Sequence, residues 1–172
     1  RHNVHNAVAA AALALAAGLS LAEVSDGLKN FSNIKGRLNI KQGIKDATLI
    51  DDTYNANPDS MKAAIDVLAA MPAPRIFVMG DMGELGEDEA AAMHAEVGAY
   101  ARDKGIEAAY FVGDNSVEAA ETFGAEGLWF ADKDPLIQVL SHDLPERATV
   151  LVKGSRFMKM EEVVEALATT TA

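Results

Sequence analysis

Residues 47–60 read ATLIDDTYNANPDS, an apolar run that passes into a polar loop and then into the start of a helix. The apolar residues 47–50 predict a short strand. Asn57 followed by Pro58 is typical of a helix N-cap with proline at the first helical position. Capping accounts for Asn57 but not for the polar side chains that precede it, so this loop needs a second explanation.

The rest of the chain repeats this order of strand, polar turn and helix. Strands are predicted at 37–41, 47–50, 75–79, 109–112, 128–131 and 149–152, and helices at 59–71, 88–104, 116–123, 135–141 and 160–168. Continuous apolar strands alternating with helices are typical of βαβ units buried on both faces. The predicted fold class is therefore α/β and Rossmann-like, a mostly parallel sheet with helices on both faces.

The chain before this α/β region has a helical pattern. The Ala/Leu run 7–17 predicts a buried helix that ends at Gly18, and a capping box at Ser20–Glu23 starts a second helix that runs to about residue 31. A secretory signal is the less favoured alternative, because the apolar run is too short to cross a bilayer and His and Asn residues precede it.

Composition narrows the function classes. The 172 residues include 26 acidic and 15 basic side chains, a formal charge of −11, which argues against nucleic acid or an anionic membrane as the main partner. There is no cysteine, so disulfides, thiolate zinc sites and cysteine nucleophiles are excluded. The sequence also contains neither a Walker-type phosphate loop nor a G-x-G-x-x-G turn after its first apolar strand.

Cations follow the last predicted strand. Lys153 and Arg156 lie near a helix start, where positive charge opposes the helix dipole, so each is expected to face an anion. Because ligands of open α/β sheets bind beyond the carboxyl ends of the strands, the loops after 47–50 and 149–152 are the first candidates for a site.

Three weaker signals favour ordinary structural roles. His2 and His5 have helical spacing but lack a partner carboxylate, so a metal site is not favoured. His94 and His142 are expected on the surface or at an interface. The acidic stretch 84–89 is interpreted as a solvated helix start rather than a cation site.

Five collinear stretches carry a family resemblance. They are HNVHNAVAA (2–10), Gly36-Arg37, DDTYNANPDSMKAA (51–64), GDMGELG (80–86) and VKGSR (152–156). Together they resemble the Mur ligase family of peptidoglycan synthesis. The asparagine-rich loop and the Gly-Asp-Met-x-Glu-Leu-Gly loop are similar to the branch that adds D-alanyl-D-alanine.

The resemblance implies an ATP-dependent amide ligase. In the family, the terminal carboxylate of a UDP-N-acetylmuramoyl tripeptide attacks the γ-phosphate of ATP, and the amine of D-alanyl-D-alanine attacks the acyl phosphate. The phosphate loop and the ligands of Mg²⁺ are then expected in upstream domains of the same enzyme. No nucleic acid or membrane insertion is expected, and ATP chemistry implies a cytoplasmic location.

The resemblance also implies a division into domains. Residues 1–40 match the C-terminal end of the central ATPase domain, a helical remnant of an upstream domain, and residues 41–172 match the C-terminal Rossmann-like ligase domain. Since the chain starts at Arg1 without a methionine, we expect a fragment that is inactive alone.

Matched positions carry the nucleotide roles of the family. Asn3 and Asn6 match asparagines beside the adenine, whose edge needs both donors and acceptors. Arg37 matches the catalytic arginine that reaches the ATP phosphates, and Asp52 the aspartate that accepts hydrogen bonds from the ribose.

The acceptor substrate has its own set of matched positions. Tyr54, Asn55 and Asn57 lie where the family's third domain faces the incoming amine. Lys153 and Arg156 are candidates for holding the dipeptide carboxylate or the tripeptide.

Two alternatives stay open. A flavodoxin-like module that binds a nucleotide or small molecule without catalysis would have the same α/β pattern, and a flavin or nicotinamide absorbance would identify it. A ligase of the same family that adds a single amino acid would be identified by comparing D-alanyl-D-alanine with D-glutamate or a diamino acid as the acceptor.

Overall fold

The computed structural model describes residues 2–30 and 35–169, with the side chains of residues 2–5 and 87–88 left out. The chain divides into two compact units on either side of Asn33–Ile34. The predicted domain boundary, between residues 40 and 41, falls within the strand Asn39–Gln42 of the second unit. The assignment of the two units to domains of a larger enzyme stays a prediction.

The first unit consists of helices α1 (His2–Ala16) and α2 (Leu21–Lys29). As predicted, α2 begins at a capping box, in which Ser20 Oγ accepts from the Glu23 N–H at 3.3 Å. The prediction that the alanine-rich helix is buried is wrong, since Val8 and Leu13 are 62% and 73% exposed. Among the described residues of this unit α1 packs only against α2, and two short helices cannot cover each other's apolar side chains.

The second unit is built on a six-stranded sheet. Its strands are β1 (Asn39–Gln42), β2 (Thr48–Asp52), β3 (Arg75–Gly80), β4 (Ala108–Val112), β5 (Gly127–Phe130) and β6 (Thr149–Lys153). The order across the sheet is β1-β2-β6-β3-β4-β5, with β1 antiparallel to β2 and every other pair parallel. The predicted α/β, mostly parallel architecture is confirmed, with element ends shifted by a few residues.

Helices cover both faces of this sheet. They are α3 (Pro58–Ala69), α4 (Glu87–Asp103), α5 (Ser116–Phe123), α6 (Lys133–Asp143) and α7 (Glu161–Leu167). Helices α3, α4 and α5 share one core with Phe77, Phe111 and Leu151, whereas α6 and α7 share a second core with Val78 and Val150. Successive strand residues are buried in alternate cores, which is why the central strands are continuous apolar runs.

The position of β6 creates a switch point in the sheet. The strand lies between β2 and β3, although it comes last in the chain. The helix after β2 packs on one face and the helix after β6 on the other, so the two loops diverge at the carboxyl edge. Such a divergence is where open α/β sheets bind ligands.

An ion pair joins the amino ends of β3 and β4, opposite the carboxyl edge of the sheet. Arg75, at the start of β3, contacts Glu107 at 2.7 Å and donates to the carbonyls of Ala69 and Gly105. The hydrogen bond from Arg75 holds the pKa of the Glu107 carboxyl below its usual value. Glu107 and the two carbonyls all lie at this end of the sheet, so the guanidinium holds these segments together there.

None of the helices in the described residues is both long enough and apolar enough to cross a membrane.

Helices α4 and α5 approach each other closely at Gly98. A Cβ at this position would overlap the carbonyl oxygen of Ala119 and lie 2.6 Å from Thr122 Oγ1. Only glycine permits this separation, so α4 is held firmly on α5.

Gly98→Ala is therefore expected to destabilise the second unit despite the better helix propensity of alanine. Overpacking of this kind costs about 1–3 kcal/mol. Thermal unfolding followed by the fluorescence of Trp129, the one tryptophan of the sequence, measures the change. Gly86→Ala is the control, since its Cβ would meet no atom nearer than 4.0 Å. Equal melting temperatures for the two variants would contradict the expectation.

Candidate functional site

An ion pair joins the ends of the two strands that flank the switch point. Asp52 and Lys153 are partners in the register of β2 and β6. Lys153 Nζ lies 2.6 Å from Asp52 Oδ2 and 2.9 Å from the carbonyl oxygen of Asn55. The side chains are only 4% and 13% exposed for Lys153 and Asp52 respectively. The anion expected opposite Lys153 is therefore a carboxylate of the chain itself.

The segment before β1 is tied to the loop after β2. Gly36 has a φ of +76°, its carbonyl accepts from the Tyr54 N–H at 2.9 Å, and a Cβ on it would lie 3.0 Å from that nitrogen. The second oxygen of Asp52, Oδ1, accepts from the Leu38 N–H at 3.1 Å. Asp52 thus connects this segment to β6 through its two carboxylate oxygens.

Arg37 lies between Gly36 and Leu38, the two residues that make these hydrogen bonds, and its side chain is exposed. Its guanidinium carbon lies 4.4 Å from the centre of the Tyr54 ring, and Tyr54 is itself 45% exposed. Stacking on the ring restrains the guanidinium plane and leaves its N–H edges able to bind an anion such as phosphate. The Gly36-Arg37 pair and the asparagine-rich loop, quoted separately from the sequence, form one surface.

The two asparagines of this loop have different local roles. Asn57 is the N-cap of α3, as predicted, and its Oδ1 accepts from the Ser60 N–H at 2.8 Å. Asn55 is exposed, and its main-chain carbonyl accepts from Lys153. Both belong to the same loop as Tyr54, and their contact with substrate stays a prediction.

Of the remaining predicted site residues, the one in the second unit, Arg156, is not part of this cluster. Arg156 is exposed and pairs with Glu161 at 2.9 Å, at the start of α7. Asn6 is exposed on α1, in the first unit. The side chain of Asn3 lies outside the described residues.

A cleft of about 340 Å³ opens at the same carboxyl edge. It is lined by the loop after β3, the start of α4, the loop after β4 and the turn after β6, through Met82, Gly83, Glu84, Leu85, Ala90, Asn115 and Phe157. Its size falls in the range of about 300–1,000 Å³ that small-molecule sites occupy. Sequence reasoning singled out the Gly-Asp-Met-x-Glu-Leu-Gly motif but assigned none of its residues to a site.

Ser155 connects the cleft to the loop after β2. Its N–H donates to the Asp81 carbonyl at 3.0 Å, and its Oγ accepts from the Gly83 N–H at 2.7 Å. The same hydroxyl donates to the Ala56 carbonyl at 3.3 Å. Three loops are thus held by one buried side chain, which makes the surface around Tyr54 and the cleft neighbours.

The buried carboxylate of Asp81 fixes the loop after β4. Its Oδ1 accepts from Ser116 Oγ at 2.6 Å, and its Oδ2 accepts from the Asn115 N–H at 3.1 Å. Gly113 has a φ of +114°, and a Cβ there would lie 2.5 Å from the carboxylate. The close approach of the two loops therefore needs glycine at that position.

The prediction that His94 lies on the surface or at an interface is wrong, because its side chain is fully buried inside the second unit. Its ring nitrogens lie 2.9 Å from the Met82 nitrogen and 2.7 Å from the Ala90 carbonyl oxygen. Ala90, His94, Val97 and Ala101 are all buried and follow helical spacing on one face of α4. That spacing is the signal in the sequence that identifies His94 as a core residue. His142, by contrast, is exposed as predicted.

The described residues were also compared with the arrangement that a metal site needs. Among the described residues no three histidine, aspartate or glutamate side chains converge in a way that could hold an ion.

Comparison with known proteins gives consistent matches. The family described as "Mur ligase, glutamate ligase domain" matches residues 36–156. UDP-N-acetylmuramoyl-tripeptide–D-alanyl-D-alanine ligase of Escherichia coli is 47% identical over 169 residues, which is 97% of this chain and 37% of that protein. The ligase of the same name from Bacillus subtilis is 32% identical over 97% of this chain and 38% of that protein.

Solved structures agree with these matches. A crystal structure of MurF from Acinetobacter baumannii superposes with a TM-score of 0.82 at 39% identity, covering 95% of this chain and 36% of that one. The chain spans a little over one third of the length of the relatives that it matches.

Proposed function

The chain belongs to the Mur ligase family, and we propose that it is the C-terminal part of an ATP-dependent ligase that joins D-alanyl-D-alanine to a UDP-N-acetylmuramoyl tripeptide. Mur ligases are ATP-dependent ligases of peptidoglycan synthesis. The alternative of a flavodoxin-like binding module has no support in these matches.

The proposed reaction has two steps. The tripeptide carboxylate attacks the γ-phosphorus of ATP, and ADP leaves with the electron pair of the broken P–O bond. The amine of the dipeptide then attacks the acyl carbon, a tetrahedral intermediate forms and loses inorganic phosphate, and the amine gives up a proton. Water must be excluded from the acyl phosphate until the amine has attacked it, because hydrolysis would waste the intermediate.

One observation carries this proposal. The loops after β2, β3 and β6 meet at the carboxyl edge of the sheet, where Ser155 joins them beside an open cleft. An exposed guanidinium, at Arg37, lies on the same edge, close to the end of β2. A cation for phosphate and a small concave site for an acceptor are the two features that the second half of the reaction requires.

We assign roles on this basis. Arg37, held on Tyr54, stabilises charge on the ATP phosphates. Asn55, Asn57 and the exposed part of Tyr54 face the dipeptide, which enters the cleft. From the resemblance we further propose that Asn3 and Asn6 contact the adenine and that Arg156 helps to hold the substrate carboxylates.

Asp52 and Lys153 have a further role in this proposal. Each neutralises the other, and together they hold the main chain at Leu38 and Asn55. We propose that they position the surface that carries Arg37, with Asp52 also accepting from the ribose. A buried ion pair with a hydrogen bond on each side is suited to fixing geometry.

The test is acceptor-dependent phosphate release by the complete ligase that carries this chain. With ATP, Mg²⁺ and the UDP-linked tripeptide present, D-alanyl-D-alanine should give stoichiometric ADP, phosphate and UDP-linked pentapeptide. D-Glutamate and a diamino acid serve as matched acceptors, and preference for either over the dipeptide would contradict the proposal. The 172-residue chain alone should give no product.

A further inference from the structure

We propose that His94 is a positioning residue of the acceptor site, which, as a neutral imidazole, holds the main chain of Met82 and thereby fixes the segment 82–85 that lines the cleft. This inference rests on the proposed function, because it assigns the cleft to the acceptor dipeptide. It concerns a side chain that does not itself line the cleft.

The hydrogen bonds of the ring determine its protonation state. A main-chain carbonyl can only accept, so Nδ1, 2.7 Å from the Ala90 oxygen, carries the proton. A main-chain N–H can only donate, so Nε2, 2.9 Å from the Met82 nitrogen, is the acceptor. Asp81 Oδ1 lies 3.7 Å from Nε2, outside hydrogen-bond distance, and accepts from Ser116 Oγ instead. Both ring nitrogens are therefore used, and only the neutral tautomer satisfies both partners.

The element that carries His94 is rigid. Gly98 lies one helical turn further along α4 and is in close contact with the main chain of α5. Helix α5 begins at Ser116, which donates to Asp81, the residue directly before Met82. The loop after β3 is thus fixed from α4 through His94 and from α5 through Asp81.

The position of Met82 determines the shape of the cleft. Its neighbour Gly83 donates to Ser155 Oγ at 2.7 Å, and a Cβ at Gly83 would lie 2.9 Å from the Phe157 ring. Any movement of the Met82 main chain therefore moves Gly83 relative to Phe157 across the cleft. Displacements of about 1 Å in groups that position a substrate are enough to cost activity.

Two conservative substitutions separate this role from simple core packing. In His94→Gln the side-chain oxygen can take the place of Nε2 and accept from Met82. In His94→Asn the shorter amide can take the place of Nδ1 and donate to Ala90, but it does not reach Met82. Both remove the ring and keep a single amide, asparagine being shorter by one methylene, and they differ in which of the two hydrogen bonds of the ring survives.

The readout is the KM of the complete ligase for D-alanyl-D-alanine. We expect His94→Asn to raise it about tenfold, which is the loss expected for one buried hydrogen bond, and His94→Gln to stay within about threefold of the wild type. The KM for ATP should stay within about twofold in both, because the cleft is the part that changes. His142→Gln, at the exposed histidine of α6, is the matched control. Equal KM values for the glutamine and asparagine variants, raised or unchanged, would overturn the proposal.

A second measurement does not depend on ligation. Hydrogen exchange of the Met82 amide should be strongly protected in the wild type and in His94→Gln, and about tenfold or more faster in His94→Asn. Rapid exchange in the wild type overturns the inference even if a variant fails to fold. If the wild-type ligase does not use the dipeptide while Met82 is protected as expected, the proposed function fails and the anchoring by His94 stands.

Discussion

Lys153→Met is expected to lower the free energy of unfolding by about 3–5 kcal/mol, the cost of leaving one member of a buried ion pair without its partner. Methionine keeps an unbranched stem of similar length, so the loss comes from the charge and its two hydrogen bonds. The Asp52 carboxylate, which is 13% exposed, would then keep the Leu38 N–H as its one hydrogen-bond donor among the described residues. Urea unfolding followed by the fluorescence of Trp129 measures the change.

The chain offers a matched control for this substitution. Lys62 and Glu96 also lie 2.6 Å apart, but their side chains are 26% and 59% exposed, so water screens the pair. Lys62→Met should cost less than about 1 kcal/mol. Adding Asp52→Asn to Lys153→Met should restore part of the loss, because position 52 then no longer holds an unpaired carboxylate. A cost for Lys153→Met as small as that for Lys62→Met would show that the Asp52 pair has no special role.

The second large effect is expected in catalysis. In the complete ligase, Arg37→Ala should lower kcat for D-alanyl-D-alanine ligation by on the order of 10²- to 10³-fold, the typical loss for one group that stabilises transition-state charge. The KM for the dipeptide should change little, since Arg37 is assigned to the phosphates. Arg37→Lys should recover only part of the rate, because an ammonium cannot reproduce the planar stacking on Tyr54.

Two controls accompany Arg37→Ala: its melting temperature, and the Lys35→Ala variant at a neighbouring cation. The side chain is exposed, so Arg37→Ala should change the melting temperature little. Lys35→Ala removes another exposed cation two positions earlier, whose ion pair with Glu165 is 3.9 Å long and solvent-screened. Near-wild-type turnover of Arg37→Ala, or an equal loss in Lys35→Ala, would remove the catalytic role.

Local patterns were sufficient for most of the fold. Continuous apolar strands, the Asn57 and Ser20 caps and the helical repeats predicted the parallel α/β sheet and its helices, because each signal depends on neighbours in the chain. They failed where burial depends on what packs against an element. The alanine-rich α1 is exposed, and His94 is buried, although both lie on helices that were predicted correctly as helices.

The candidate site, like the fold, was predicted only in part. The sequence identified the loops after β2 and β6 and the Gly-Asp-Met-x-Glu-Leu-Gly motif, since polar residues at strand ends stand out against apolar strands. It did not show that Lys153 pairs with Asp52, that Ser155 joins three loops, or that a cleft lies beside them.

The alternation of strands and helices, and the kinds of side chain that follow each strand, can be read from the residues in chain order. Which of those side chains meet depends on the fold, because the last strand inserts between β2 and β3 and brings residues 52 and 153 side by side. The order of strands in a sheet results from how helices pack over both of its faces, and that packing is a property of the whole domain rather than of any segment.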